Sequence, residues 1–216
     1  MMSKDAYTLL SSLGISFDRE IDISLSPEEC IISLLVDFEL LNNRRHLSLA
    51  ILAFQEYQDY FRPDLFDHLA RELPYQIQMG LGGIIFRERL RNPGRWNNLK
   101  KLLSSNLISK QVFIDQKKLV TLRGSDPGFA AFNLMMTPVA KSDPKKLFLE
   151  DMFLRQNQWF ANRLFFGTTS RADIVTIRRN HLEATPYRIA KRFNCSIPSI
   201  TKTWNDLIRV QELGFF

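Results

Sequence analysis

The spacing of apolar residues along the chain predicts a protein built mainly from helices. Ser26 begins the clearest of them, because Ser26 can cap the helix, Pro27 suits its first position and Glu29 completes a capping box. That helix is expected to run to about residue 41, and the glycine-rich segment 80–83 is interpreted as a turn between later helices. The same spacing predicts further helices over 4–13, 44–61, 63–73, 84–90 and 95–105.

Residues 111–122 show a different pattern, in which two short apolar runs flank four polar residues. The runs are 111–114 and 119–122, and the segment Asp115-Gln116-Lys117-Lys118 between them suits a hairpin turn. A helix followed at once by a basic hairpin is the layout of a winged helix. We therefore expect a β-hairpin here, and one interpretation of residues 63–123 is a winged helix.

A long helix is predicted to join the two halves of the chain. Asp143-Pro144 supplies a cap followed by proline, the apolar pattern continues to about Phe166, and Gly167 ends it. The predicted organisation is a mainly helical domain over 1–140, a connecting helix over 143–166 and a third domain over 167–216.

Three helices are predicted in this last domain, over 171–180, 186–193 and 197–210. Thr185-Pro186 is a cap followed by proline, and Asn194-Cys195 forms a tight turn, since Asn tolerates left-handed backbone. Ala190 is the small residue at which the last two helices can cross at a steep angle. The residues predicted to point inward are Ile174, Ile177, Ile189, Phe193, Ile200, Leu207 and Ile208.

The outward side of the last helix carries short polar or cationic groups, which suit base edges and phosphates. These residues are Ser196, Ser199, Lys202 and Asn205. The preceding helix is expected to contact the DNA backbone through Thr185, Tyr187, Arg188, Lys191 and Arg192.

Residues 164–216 resemble the winged helix-turn-helix module of bacterial transcriptional regulators. The resemblance is carried by Arg171-Ala172-Asp173-Ile174, Ile189-Ala190-Lys191-Arg192 and Ser196-Ile197-Pro198-Ser199-Ile200-Thr201, in that order. It implies a DNA-binding fold. The chain departs from the family in two ways: Asn194 stands where Gly is usual, and the sequence ends at Phe216 before a full wing hairpin. The wing is then absent, supplied by another segment or partner, or cut off.

The net charge of +6 is unevenly distributed along the chain. Residues 1–86 hold 13 acidic side chains against 6 Lys or Arg, whereas 87–123 hold 10 Lys or Arg against 2 acidic, and 170–216 hold 8 against 4. A basic face attracts phosphates and releases their counterions, which favours nucleic-acid binding. The alternative is a solvated surface whose positive charges meet the acidic N-terminal part.

The middle basic segment is a candidate for a second DNA-facing surface. Its residues are Arg95, Asn97, Asn98, Lys100, Lys101, Lys117 and Lys118. The alternative is an ordinary helix and hairpin packed on the acidic N-terminal helices. If both surfaces are real, the chain carries tandem winged helices, as plasmid replication initiators do.

Composition narrows the function classes. Hydrophobic residues make up 45% of the chain, yet none of the apolar runs reaches the roughly 18 residues of a membrane span, and the N-terminus lacks the apolar core of a secretory signal. A cytoplasmic, reduced protein is expected. The three His are scattered and no Ser/His/Asp or Cys/His set is arguable, so no metal, no cofactor and no enzymatic activity are expected.

The sequence therefore predicts a sequence-specific protein that binds double-stranded DNA. Transcriptional regulation by occupancy of DNA is the expected role, and a homodimer on inverted repeats is a further expectation. The alternative from another class is a protein-interaction subunit of a defence or toxin–antitoxin system.

Overall fold

A computed structural model of the chain describes residues 5–17, 19–105, 110–180, 182 and 185–213. It divides the chain into two compact units, Met1–Glu150 and Asp151–Phe216. Both units are mainly helical, so the prediction of a mainly helical protein is confirmed. The last three residues, Gly214-Phe215-Phe216, at which the question of a wing arises, lie outside the described residues.

The first unit is built mainly from α-helices. The helices are α1 (Ala6–Ser12), α2 (Pro27–Val36), α3 (Arg44–Tyr57), α4 (Pro63–Ala70), α5 (Tyr75–Phe86), α6 (Asn97–Ser105), α7 (Lys117–Arg123) and α8 (Pro127–Ala130). Short 3-10 helices occur at Leu40–Asn42, Gln58–Tyr60, Pro93–Trp96 and Pro144–Lys146. Two short parallel strands, β1 (Val112–Phe113) and β2 (Leu134–Met135), pair Val112 with Leu134 and Phe113 with Met135.

The start of α2 forms as the sequence predicts. The Ser26 side chain accepts a hydrogen bond from the Glu29 backbone N–H, and the Glu29 carboxylate accepts one from the Ser26 N–H. The helix ends at Val36 rather than near residue 41, and Glu39 takes left-handed backbone with φ of 45° before the next 3-10 helix. That conformation cannot continue an α-helix.

An aromatic cluster forms much of the core of the first unit. Phe54, Phe61, Phe66 and Trp96 are all buried, and the rings of Phe54 and Phe61 lie 5.1 Å apart. The Trp96 ring meets Phe54 edge-on at 5.3 Å. Burial of each such side chain contributes about 1.5–3 kcal/mol, so this cluster holds α3, α4 and the start of α6 together.

The glycine-rich segment 80–83 lies inside α5, and its interpretation as a turn is wrong. A Cβ on Gly83 would lie 2.0 Å from the ring of Phe129, and one on Gly82 would lie 2.6 Å from the ring of Phe132. These glycines therefore allow α8 and the residues after it to pack closely on α5. The absence of side chains serves packing here, not chain reversal.

The predicted β-hairpin over 111–122 does not form, and this corrects the interpretation of residues 63–123 as a winged helix. The second apolar run lies in α7, with Val120 buried, and β1 pairs in parallel with the distant β2. A short apolar run fits a helix as well as a strand, and parallel pairing requires a long crossover, which α7 and α8 supply. The interpretation of the chain as tandem winged helices requires this hairpin as a wing, so it is wrong as well.

The described part of the second unit is a series of helices, of which α9 begins at the last residue of the first unit. They are α9 (Glu150–Gln156), α10 (Gln158–Phe166), α11 (Ser170–Arg179), α12 (Pro186–Arg192) and α13 (Ile197–Glu212). The single connecting helix predicted over 143–166 is thus wrong. Residues 144–146 form only a short 3-10 helix, and Leu147 after it forms a β-bridge with Ile15. A second break lies at Asn157, which takes extended backbone. Its side chain caps α10 by accepting a hydrogen bond from the Trp159 N–H at 3.0 Å.

Polar contacts join α10 to α11 inside this unit. Arg163 and Asp173 form an ion pair with an Nε–Oδ1 distance of 2.8 Å, and their side chains are 0% and 1% exposed. Asn162 donates to the Thr176 hydroxyl at 2.8 Å close by. A buried ion pair tolerates few geometries, so it fixes the register of α10 against α11.

Among the residues that the structure describes, no helix is both long and apolar enough to cross a bilayer.

Candidate nucleic-acid interface

The segment from α12 to α13 is defined by caps at both of its helix starts. The Thr185 hydroxyl accepts from the Arg188 N–H, and Pro186 occupies the first position of α12. Ser196 precedes α13, and its hydroxyl accepts from the Ser199 N–H at 3.4 Å. Both hydroxyls cap in this way, which stabilises the two helices and leaves each O–H as a donor.

Asn194 makes the turn between these helices possible. Its φ of 49° lies in the left-handed region, and the Cys195 N–H donates to the Ala190 carbonyl at 2.9 Å. This is the hydrogen bond of a Schellman-type helix end, usually built with glycine. The sequence predicted the left-handed Asn here, and the backbone confirms it. The turn spans four residues between Arg192 and Ile197, a length that fits a helix-turn-helix.

The inner sides of α11, α12 and α13 form a small apolar core. The residues predicted to point inward that are buried there are Ile174, Ile177, Ile189, Phe193 and Ile200, and Ala190 is 4% exposed at the crossing. Leu207 and Ile208 are half-buried. Trp204 is 8% exposed, and the Arg178 guanidinium lies 4.8 Å from its ring centre. Because one side of α13 packs in this core, the opposite side of the helix faces solvent.

Most of the residues predicted to bind DNA lie on exposed surface. Tyr187 is 63% exposed, and the other exposed members are Thr185, Arg188, Lys191, Ser196, Ser199, Lys202 and Asn205. Arg192 differs, because it is half-buried with its guanidinium 5.2 Å from the Phe193 ring centre. We call the set Tyr187, Arg188, Lys191, Ser199, Lys202 and Asn205 the outer face.

The outer face carries positive charge that the described part of the chain does not neutralise. Residues 151–216 contain ten Lys or Arg against five Asp or Glu, and one of those carboxylates, Asp173, is committed to the buried pair with Arg163. Among described residues, no carboxylate forms a salt bridge with Arg188, Lys191 or Lys202. These cations are available to anionic groups outside the chain.

Two further residues belong to this surface, although the sequence did not predict them. Ile197 and Pro198 occupy the first two positions of α13, where Ile197 is 48% exposed and Pro198 is exposed as well. Ile197 lies three residues before the buried Ile200, and that spacing suggests an inward position. Proline at the second helical position was the available signal, because it marks the first turn.

Arg95 differs from the other residues of the second candidate surface, which lies in the first unit. Arg95 is half-buried and donates to the backbone carbonyls of Asp59 and Phe61 at 3.2 and 3.1 Å. The remaining residues are exposed, with Asn97, Asn98, Lys100 and Lys101 on α6 and Lys117 and Lys118 on α7.

Acidic partners within the first unit use part of the charge of the middle basic segment. Arg87 pairs with the buried Asp126 at 3.0 Å and Arg91 pairs with Asp59 at 3.1 Å. The expectation that these charges meet the acidic N-terminal part is confirmed at Arg91. Arg95 also uses that part of the chain, through its carbonyl groups.

Asp126, which follows Gly124-Ser125, is built into the core of the first unit. Asp126 is fully buried and accepts from Arg87, from the Gly128 N–H at 3.1 Å and from the Val139 N–H at 3.0 Å. Its carboxylate is thus used to cap α8 and to hold the segment after β2. Within the described residues, no group of three or more His, Cys, Asp or Glu could hold a metal ion.

Comparisons with protein-family models, curated proteins and solved structures gave no match to this chain. Its function is therefore inferred from the residues and their geometry.

Proposed function

We propose that residues 170–213 bind double-stranded DNA in a sequence-dependent manner. In this proposal the start of α13 enters the major groove, and α12 crosses the phosphate backbone beside it. The role is occupancy of DNA, with regulation of transcription as its consequence and no chemical step.

The observation that carries the proposal is the division of α13 into two sides. Ile200 and Trp204 are buried on one side, while Ser199 and Lys202 are exposed on the other. A helix about 10–12 Å across fits the major groove, and short polar groups with a lysine at its front can reach base edges and phosphates. Arg188 and Lys191 on α12 add cations for the backbone.

A selection from a random duplex pool tests sequence dependence. We expect the full chain to enrich a short shared sequence. A variant with Ser199→Ala, Lys202→Ala and Asn205→Ala removes exposed side chains only, so it is expected to fold and to lose the enrichment. The matched control, Arg155→Ala with Arg171→Ala, removes two exposed cations elsewhere in the same unit and is expected to enrich the same sequence. Equal enrichment by all three proteins, or by none, contradicts the proposal.

A protein-binding role is the second candidate, and the surface of α10 favours it. Phe165 is 82% exposed and the adjacent Leu164 is 57% exposed. Neighbouring exposed apolar side chains are typical of protein contacts. A protein contact made there depends weakly on salt, whereas DNA binding weakens steeply as salt rises.

A further inference from the structure

The first turn of α13 presents apolar surface in the middle of a polar region. Ile197 is 48% exposed and Pro198 is exposed, and they lie between the exposed Ser196 and Ser199. We call Ile197 and Pro198 the apolar tip. Their exposure is unusual for a position next to the core residue Ile200, since an isoleucine is among the side chains most often fully buried.

Exposed cations lie on α13, which carries the apolar tip, and on α12 before it. Pro198 and Lys202 lie one turn apart on the same face of α13, because residues four apart are neighbours on a helix. Arg188 and Lys191 are exposed on α12, which packs against α13. A partner that uses both features of this surface combines negative charge with an apolar group.

The major groove of DNA has this combination of groups. Phosphates line both edges of the groove, and the C5-methyl of thymine is the apolar group that base pairs display on its floor. Building on the proposed DNA-binding function, we infer that the apolar tip packs against the C5-methyl of a thymine, so that the bound sequence contains at least one fixed thymine read without a hydrogen bond.

The expected size of the effect follows from the area of one methyl group. Burial of a single methyl or methylene group corresponds to about fourfold in affinity. Replacing a thymine by deoxyuridine removes only that methyl and keeps the hydrogen-bonding groups of the base. We expect a dissociation constant about fourfold higher when the contacted thymine is replaced.

The test uses the full chain and the duplex recovered by selection from a random pool. Each thymine of that duplex is replaced in turn by deoxyuridine, and affinity is measured by fluorescence anisotropy for the parent chain, for Ile197→Ala and for Leu213→Ala. Leu213 is the matched control, because it is an apolar residue 72% exposed just beyond the other end of α13. Near-ultraviolet circular dichroism checks that each variant is folded.

We expect the parent and Leu213→Ala to lose about fourfold at one or two thymine positions, and Ile197→Ala to be indifferent at the same positions. Tight binding by the parent with no deoxyuridine effect at any position overturns this inference and leaves the DNA-binding proposal standing. The same holds for a selected sequence without a fixed thymine, or for Ile197→Ala retaining the full effect. Failure of the parent to bind any duplex overturns both.

Discussion

The buried ion pair between Arg163 and Asp173 offers a sharp test of how the second unit is held together. The pair joins α10 to α11 at 2.8 Å, with both side chains essentially without solvent contact. Asp173→Ala leaves a guanidinium buried without its carboxylate, and Arg163→Met leaves the carboxylate without its guanidinium. Removing one partner of such a pair costs about 3–5 kcal/mol, because the remaining charge stays buried without the opposite charge of that partner.

The size of this unit makes that cost decisive. At about 0.05–0.15 kcal/mol per residue, residues 151–216 have roughly 3–10 kcal/mol of stability. Either single substitution therefore removes a large share of it, or all of it. The double variant Arg163→Met with Asp173→Leu replaces both charges by apolar side chains, so we expect it to be more stable than either single variant.

Hydrogen exchange resolved by peptide mass spectrometry can follow this unit separately from the first. At about 1.4 kcal/mol per tenfold, we expect amides of α10 and α11 to exchange at least a hundredfold faster in each single variant, with amides of α3 and α5 unchanged. Arg71→Ala breaks the exposed Arg71–Asp67 pair and serves as the control, with an expected cost below about 1 kcal/mol. Single variants that behave like Arg71→Ala, or a double variant less stable than both singles, would refute this reasoning.

Three further predictions concern single positions. Residue 194 has a φ of 49°, which glycine adopts freely and valine does not. Asn194→Gly is therefore expected to leave the stability of the second unit unchanged or slightly higher, and Asn194→Val to lower it by about 1–3 kcal/mol. Urea unfolding of the two variants measures the difference. Gly83→Ala is expected to destabilise the first unit by about 1–3 kcal/mol, because the added Cβ would lie 2.0 Å from the Phe129 ring. The midpoint of thermal unfolding measures this loss. An unchanged midpoint would show that the ring moves aside freely. Burial alone raises the pKa of Asp115, but hydrogen bonds from Thr137 and the charge of Arg44 outweigh it and lower the pKa below its ordinary 3.8. The stabilisation from Asp115 is therefore present above that ordinary value and is lost as pH falls through the lowered pKa. The acid-induced loss of urea resistance should therefore be smaller in Asp115→Asn than in the parent chain, and an equal loss in both would contradict this prediction.

The sequence predicted elements well where one local signal decides the backbone. Ser26-Pro27 begins α2, Thr185-Pro186 begins α12, and Asn194 makes the turn before α13, each as expected. In these cases a cap, a proline or a left-handed residue acts within a few positions of itself. Such effects require no knowledge of the rest of the chain.

The predictions failed where distant residues decide the outcome. Residues 119–122 fit a strand locally, but β1 finds its partner at residues 134–135, and α7 lies in the crossover between them. The glycines of α5 look like a turn because Phe129 and Phe132, which pack on them, lie more than forty residues away. Neither the partner strand nor the rings can be inferred from spacing alone.

The candidate site shows the same division. Exposed positions such as Lys202 and Ser199 follow from helical periodicity, whereas the exposure of Ile197 depends on where α13 begins relative to the core of three helices. The capture of Arg95 by two carbonyl groups also depends on tertiary packing. Charge counted along the sequence therefore overstates what is available on the surface.

The salt dependence of duplex binding tests the central claim most directly. Each phosphate contact contributes about 0.9 to the slope of log affinity against log salt concentration. We predict a steep negative slope for the parent chain, a slope smaller in magnitude by about 2 for Lys191→Ala with Lys202→Ala, and a parental slope for Arg155→Ala with Arg171→Ala. A flat slope for the parent, or an equal loss in both double variants, would contradict the assignment of DNA binding to the outer face.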